Sequence, residues 1–380
     1  MRFQLDLTKE YGIVLEGGGA RGSYQIGAWK ALREAGIKIR GIAGVSVGAL
    51  NGALICMDDL EKAEQIWENI RYSHVMDVDD EMMEHIKNLD FKSIDLARVM
   101  EEGKRILKEK GFDIAPLKDL IQSVADEEKI RASDRELYLT TYSVTDHALL
   151  TLNAKEIPEG EISDMLLASA YFPAFRNKKL GGKRYLDGGG WNNVPINILL
   201  EHGYRDILVI RIYGLGYDSE KKTEIPQDAT ITHIAPRQDL GGILEFDKAR
   251  ARKNMTLGYY DAKRVLYGLE GRWYYIYAPE SDAYYFERFI TEAPEFQHSG
   301  LWGDIPEVPE YLTGYRIYTE CLFPALAEEL KLKKNWTYKE LYLSFLEEKA
   351  RVFRINRFHI YTAAELKQKI NEKYLLHVYS

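Results

Sequence analysis

The chain reads as an α/β fold, a parallel sheet with helices on its faces, followed by a mainly helical C-terminal region. Short apolar runs alternate with helical segments at the start of the chain, and a glycine-rich turn follows each of the first two runs. Past about Gly241 the pattern changes to long helical stretches rich in aromatics. Strand, helix, strand, helix in that order implies parallel pairing through right-handed crossovers. Both glycine turns then lie at one sheet edge, beyond the carboxyl ends of the strands, where open α/β sheets hold ligands.

Taken in order, Tyr11 to Leu15 is a short apolar strand, Gly17-Gly18-Gly19 a turn, and Ser23 to Ala35 a helix that stops at Gly36. Ile39 to Ala43 is a second strand, and the turn Gly44 to Gly48 leads into an apolar helix, Ala49 to Met57. Glu81 to Ile130 is charged and mostly helical in pattern. Further strands are expected at Leu137 to Val144, Ala148 to Ala154 and Ile207 to Tyr213, with a short helix from Ser163 to Ala170 ended by Pro173. Leu244 to Leu269 reads as a long helix, Arg272 to Tyr277 as a strand, and Tyr311 onward as mainly helical. The expected organisation is therefore residues 1–240 as the α/β domain and residues 241–380 as an extension, with a soft boundary near Gly241 and no clear linker.

Composition narrows the function classes. At 380 residues and 46% hydrophobic content the chain can bury a large core. Its net charge of -8 gives no general electrostatic reason to expect nucleic acid as a partner. Cys56 and Cys321 are too few for a disulfide framework or a cysteine zinc site. Asp77, Asp79 and Asp80 form an acidic cluster that reads as a solvated turn, so no metal is expected. The first ten residues carry charges where a secretory signal needs an apolar stretch, and no apolar run reaches spanning length. A soluble cytoplasmic protein is expected, and the sequence leaves its oligomeric state open.

Three glycine motifs carry the chemistry. Gly44-Val45-Ser46-Val47-Gly48 is a G-x-S-x-G between an expected strand and an expected helix, a setting in which flanking glycines allow a sharp elbow that presents the serine oxygen. A helix-capping serine is the plain alternative. Glu16-Gly17-Gly18-Gly19-Ala20-Arg21-Gly22 follows the preceding strand and contains G-x-G-x-x-G, which raises a dinucleotide-binding oxidoreductase as a competitor. That reading expects an acid roughly twenty residues on to hold a ribose, and Ile42-Ala43-Gly44-Val45-Ser46 has none. The same glycine N–H groups, with Arg21 adding positive charge, can instead receive an oxyanion. Tyr185-Leu186-Asp187-Gly188-Gly189-Gly190 supplies an aspartate that is a plain turn former by default and a base if Ser46 needs one. His202 and His233 would fit the order Ser, Asp, His, but His202 follows an apolar helical stretch and His233 lies in a polar, loop-like segment.

Gly17 to Gly22, Gly44 to Gly48 and Asp187-Gly188-Gly189, in this order and spacing, together with Ala168-Ser169-Ala170 before Phe172-Pro173, resemble the patatin-like phospholipase family. The resemblance covers roughly residues 10 to 215. It implies a three-layer α/β/α fold with a mainly parallel central sheet, and hydrolysis of lipid acyl esters through an acyl-serine intermediate without a cofactor. It also implies a Ser-Asp dyad, with Ser46 the nucleophile, Asp187 the proton acceptor, Gly44 and Gly48 shaping the elbow, and Gly17, Gly18, Gly19, Arg21 and Gly22 forming the oxyanion hole. Glu16 departs from the Asp that many relatives carry. A catalytically silent lipid-binding or scaffolding relative is the further alternative.

The charge is asymmetric: residues 321–380 hold 11 Lys+Arg against 7 Asp+Glu, leaving 40 and 52 in residues 1–320. Lys331, Lys333, Lys334, Arg351, Arg354 and Arg357 are interleaved with Trp336, Tyr342, Phe345, Phe353 and Phe358. Two expectations stand side by side: peripheral contact with an anionic lipid surface such as the inner membrane face, or a helical subdomain whose aromatics face its own core.

Overall fold

In a computed structural model, residues 1–87, 105, 108, 111–298, 301–302, 307–309 and 312–378 are described. Much of the helical pattern read between Glu81 and Ile130 lies outside these residues. The chain forms two compact units, residues 5–265 and residues 1–4 with 266–380.

The first unit is built on a seven-stranded sheet. Strand β1 (Glu10–Leu15) leads through helix α1 (Ser23–Glu34) to β2 (Lys38–Val45), which turns directly into α2 (Val47–Cys56); α3 (Leu60–Asn69) follows. After α4 (Ala115–Val124), β3 (Glu136–Ser143) and β4 (Ala148–Asn153) form an antiparallel pair. Helix α5 (Ile162–Ser169), β5 (Tyr185–Asp187), α6 (Ile196–Glu201), β6 (Asp206–Ile210) and β7 (Thr230–Ile234) complete it. The spatial order is β4-β3-β2-β1-β6-β7, with all neighbours from β3 to β7 parallel. The chain winds from β1 to β2 and β3 on one side, then returns to place β6 and β7 on the other. The reversal at β1 is a topological switch point, and the glycine turn follows that strand. The central strands β1, β2, β3 and β6 are buried on both faces. One side, with Val14, Ala43, Tyr138 and Val209, packs on Ile196, Ile198 and Leu199 of α6, while the strands themselves are near-continuous apolar runs, as parallel strands covered on both faces are.

Two strands of the first unit escaped the sequence. β5 is three residues long, and β7 mixes exposed and half-buried positions at the sheet edge. His233 therefore lies in a strand, not in a loop. The acidic cluster also differs from the solvated turn that was expected. Asp77 pairs with Arg105 and Arg176, Asp79 caps the turn at Met82, and Asp80 accepts from Ser73, so all three carboxylates brace local structure.

The units divide between Val265 and Leu266, not near Gly241. The cause is a backbone-to-backbone contact between α1 and α7 (Lys248–Tyr267). A Cβ on Gly27 would lie 1.8 Å from the Met255 carbonyl oxygen, and one on Gly258 would lie 2.0 Å from that of Tyr24. Only glycine lets the two helices approach so closely, which joins residues 241–265 to the first unit.

The second unit contains α8 (Asp282–His298), α9 (Phe323–Glu329), α10 (Tyr338–Val352), α11 (Ala363–Val378) and a parallel pair formed by β8 (Tyr275–Tyr277) and β9 (Ile360–Thr362). Its interior is filled with rings: Phe289 lies 4.7 Å from Phe323, 5.4 Å from Trp302 and 5.6 Å from Phe345. Tyr342 and Phe345 are buried, and Trp336 and Phe353 pack against the same core. Most of the aromatics that are interleaved with the basic residues thus face their own subdomain. Among the described residues no helix is long and apolar enough to cross a membrane.

Candidate active site

The register of the sheet brings the serine and the aspartate together. β2 pairs with β3 up to Val45↔Thr140, and Ser46 is the next residue. β4 occupies the other side of β3, so β5 takes up the pairing where β2 stops, with Asp187 opposite Thr141. Residues 141 positions apart in sequence therefore end on adjacent steps of one strand. The Ser46 hydroxyl and the Asp187 carboxylate meet at the wall of one cavity, and the carboxylate accepts the Gly189 N–H at 2.8 Å.

Ser46 has φ 56° and ψ -128°, a region that non-glycine residues rarely occupy. The elbow is possible because both flanking glycines lack a side chain. A Cβ on Gly44 would lie 2.4 Å from the Gly48 oxygen, and one on Gly48 would lie 2.2 Å from the Leu15 oxygen. Ser169 secures the elbow from the side. Its buried hydroxyl accepts the Ser46 N–H at 2.9 Å and donates to the Thr140 carbonyl at 2.8 Å. Ser46 then stands at the N-terminus of α2, facing into a cavity.

That cavity is apolar and has about 1100 Å³ of space between its walls, mouth included. Val47, Leu50, Asn51 and Leu54 line it along one face of α2, and Trp67, Ile121 and Leu166 add walls from α3, α4 and α5. The spacing of the α2 positions, i, i+3, i+4 and i+7, carries the cavity roughly 10 Å down the helix from Ser46. Asn51 is the one polar group of that face, and its polar atoms are engaged: Nδ2 donates to the Gly22 carbonyl and Gln25 Oε1, and Oδ1 accepts from Trp67. Loss of water around Asp187 in these surroundings pushes its carboxyl up to about 6, against the opposing pull of the nearby Ser46 hydroxyl and of the Gly189 N–H.

The glycine turn is sorted by its hydrogen bonds. Gly17 N–H donates to the Asn193 carbonyl, and Arg21 N–H to Gly18. The Gly18 and Gly19 N–H groups have no partner among the described residues, and both residues line the cavity. Arg21 was expected beside the oxyanion, but its guanidinium is turned to the carbonyls of Gly241, Ile212 and Tyr213. Gly22 is packed between Val47 and Trp67 and does not line the cavity. A donor pair at Gly18 and Gly19 remains.

A model of the family described as patatin-like phospholipase matches residues 13–200, a span from β1 through α6 that contains all three glycine motifs. Residues 13–200 form a patatin-like phospholipase domain. The neuropathy target esterase sws of Drosophila sechellia is 60% identical over 47 residues, 12% of this chain and 3% of the fly protein. The Drosophila persimilis protein matches to the same extent. This chain therefore spans only a small part of the curated relatives that it matches. Among solved structures, VipD from Legionella pneumophila aligns with a TM-score of 0.41 at 13% identity, covering 96% of this chain and 88% of that one. ExoU from Pseudomonas aeruginosa, in complex with SpcU, aligns with a TM-score of 0.32 at 15% identity, covering 91% and 78%.

The patatin-like domain brings neither histidine into the cavity. His202 Nδ1 faces the Ile198 carbonyl and its ring lies against Tyr138, while His233 Nε2 pairs with Glu220. Two polar residues with no role assigned from the sequence join Ser169 in shaping the site. Glu16 is buried beneath the glycine turn and accepts from the N–H groups of Ile212 and Tyr213 and from Arg211. Asn193 lines the cavity and donates to the Gly17 carbonyl, tying the turn after β1 to the loop after Asp187. The available signal for Glu16 was a charged residue directly between an apolar strand and a glycine turn.

Proposed function

We propose that this patatin-like protein is a lipid acyl hydrolase working through an acyl-serine intermediate, with Ser46 as nucleophile and Asp187 as general base. One observation carries the reading: Ser46 and Asp187 stand together at the wall of a cavity lined mainly by aliphatic and aromatic groups. Such a cavity suits an acyl chain, with its ester carbonyl at the polar end. An oxidoreductase would need polar groups for a ribose, and at the end of β2 this chain has Ser46 instead.

In the first step Asp187 takes the hydroxyl proton as Ser46 Oγ bonds to the ester carbonyl carbon. The carbonyl oxygen becomes negative and is received by the Gly18 and Gly19 N–H groups. The tetrahedral adduct collapses, the C–O bond to the alcohol breaks, and the leaving alkoxide recovers the proton from Asp187. Water then attacks the acyl-serine, Asp187 takes its proton, and Ser46 departs with that proton as the fatty acid is released. A carboxyl raised to about 6 is a better base than an ordinary aspartate and is still ionised at neutral pH.

The test is labelling with a serine-reactive fluorophosphonate, read by peptide mass spectrometry beside release of fatty acid from a mixed lipid extract. Adduct at Ser46 and loss of both signals in Ser46→Ala are expected. Adduct at a different serine, or fatty-acid release that survives Ser46→Ala, would remove the assignment.

A further inference from the structure

We infer that the segment Tyr213-Gly214-Leu215-Gly216-Tyr217 is an interfacial docking loop that seats the mouth of the cavity on a neutral, zwitterionic lipid surface. The inference rests on the acyl-hydrolase reading above and adds where, and on what kind of surface, the substrate is met.

The side chains of this loop are unusually exposed for their chemistry. Leu215 is 72% exposed, Tyr213 54% and Tyr217 41%, and Trp191, two residues from Gly189, is 42% exposed. The backbone beneath them is pinned. Tyr213 N–H donates to buried Glu16, Tyr217 N–H donates to the Gly189 carbonyl at 2.8 Å, and the Tyr217 carbonyl accepts from Asn193 at 2.9 Å. Gly214 is pressed so closely on the glycine turn that a Cβ there would lie 1.8 Å from the Gly17 oxygen. The loop is therefore a fixed platform that holds apolar side chains outward, at a cost in hydration that an isolated soluble domain has no reason to bear.

Leu215 names the occupant. It is both a wall of the cavity and the most exposed apolar side chain of the loop, so the path of an acyl chain into the site continues onto this patch without a polar break. Tyr213 and Tyr217 bracket it in the chain, a residue type that suits a boundary between apolar and wet surroundings. Charge decides between lipid surfaces. The five-residue loop has none, Arg211 beside it is occupied by Glu16, Asp218 and Glu220, and Lys222 lies over the Tyr217 ring. Residues 1–320 carry 40 Lys+Arg against 52 Asp+Glu, which opposes attraction to an anionic membrane. A surface held by ring and leucine insertion is indifferent to salt, unlike one held by a basic face.

The experiment uses the Ser46→Ala protein, so that the probe stays intact, in co-sedimentation with phosphatidylcholine vesicles. Binding is expected, changed by less than about twofold between low and high salt, where a charge-held contact would weaken steeply. The double variant Tyr213→Ser/Tyr217→Ser in the same background should weaken it about tenfold or more. In otherwise wild-type protein that double variant should lower turnover on vesicles comparably and leave a soluble short-chain ester within about twofold, since neither ring lines the cavity. Binding that requires anionic lipid, or that ignores the double variant, overturns the proposal. So does equal loss on the soluble ester, which would make the loop a scaffold of the site, and so does a dimer in sedimentation velocity that the double variant abolishes. Absence of any esterase activity in the wild-type protein would count against the hydrolase reading alone, because vesicle binding is measured on the inactive variant.

Discussion

The two units handle apolar surface in opposite ways. In the second unit the interior closes on itself, with Phe289, Phe296, Trp302, Phe323, Tyr342 and Phe345 stacked and edge-packed into one cluster. In the first unit, comparable side chains from α2, α3, α4 and α5 stop short of one another and leave a lined void that ends at Ser46 and Asp187. Hydrophobic content does not distinguish the two. What distinguishes them is unfilled volume beside a carboxylate that has lost its water, and the proposed chemistry rests on that combination: the void would admit an acyl chain, and the dry walls would make Asp187 a usable base.

The largest effect should come from removing the base. Asp187→Asn should lower turnover about a hundredfold to ten-thousandfold, while His202→Ala and His233→Ala stay within a few-fold of the wild type. Steady-state kinetics on a soluble ester checks this, and a histidine variant as damaged as Asp187→Asn would replace the dyad by a triad. The same substitution should act on stability with the opposite sign. The folded protein holds the Asp187 proton to about pH 6, whereas the unfolded chain releases it at the ordinary value, so wild-type stability falls as pH rises between those points. Asp187→Asn cannot ionise and should be more stable than the wild type by about 3 kcal/mol above pH 6, the gain vanishing below about pH 4. Thermal melts at three pH values decide it.

Cavity substitutions sharpen the contrast between the units. Phe345→Ala opens a hole in a filled core and should destabilise the second unit by about 3–5 kcal/mol in denaturant melts. Leu54→Ala enlarges a void that already exists and should cost the first unit less, about 2 kcal/mol. Equal costs would mean that the cavity is closed in solution. The smallest effect is on selectivity: Leu54→Trp, which makes the first unit more like the second, should reduce hydrolysis of long-chain esters about tenfold relative to short-chain ones. A uniform loss across chain lengths would place the acyl chain elsewhere.

The parallel sheet and the three glycine motifs were legible because each depends on local pattern: apolar runs, glycine punctuation and their order. β1, β2, α1 and α2 fall within two residues of the bounds read from the sequence, and Ser46 and Asp187 are adjacent in the structure. The rest depends on partners distant along the chain. Ser169 steadies Ser46 from 123 positions away and Glu16 holds a loop nearly two hundred residues on, and neither residue type announces such a role. β5 is too short to show a period, and its place is fixed only because β4 already occupies the other side of β3. Arg21 was misplaced because its charge was assumed to face the site, whereas the nearby carbonyls of Ile212, Tyr213 and Gly241 claim it. The unit boundary was drawn too early because Gly27 and Gly258 read as ordinary helix residues until the two helices are seen to touch.

The central claim is that a desolvated Asp187 activates Ser46 without a histidine. The rate of fluorophosphonate labelling at Ser46, measured against pH and confirmed by peptide mass, tests it most directly. The account predicts a rate that climbs through about pH 6, levels off above it, keeps that midpoint in His202→Ala and His233→Ala, and collapses at every pH in Asp187→Asn. A midpoint that moves with either histidine variant, or labelling that persists undiminished in Asp187→Asn, would contradict it.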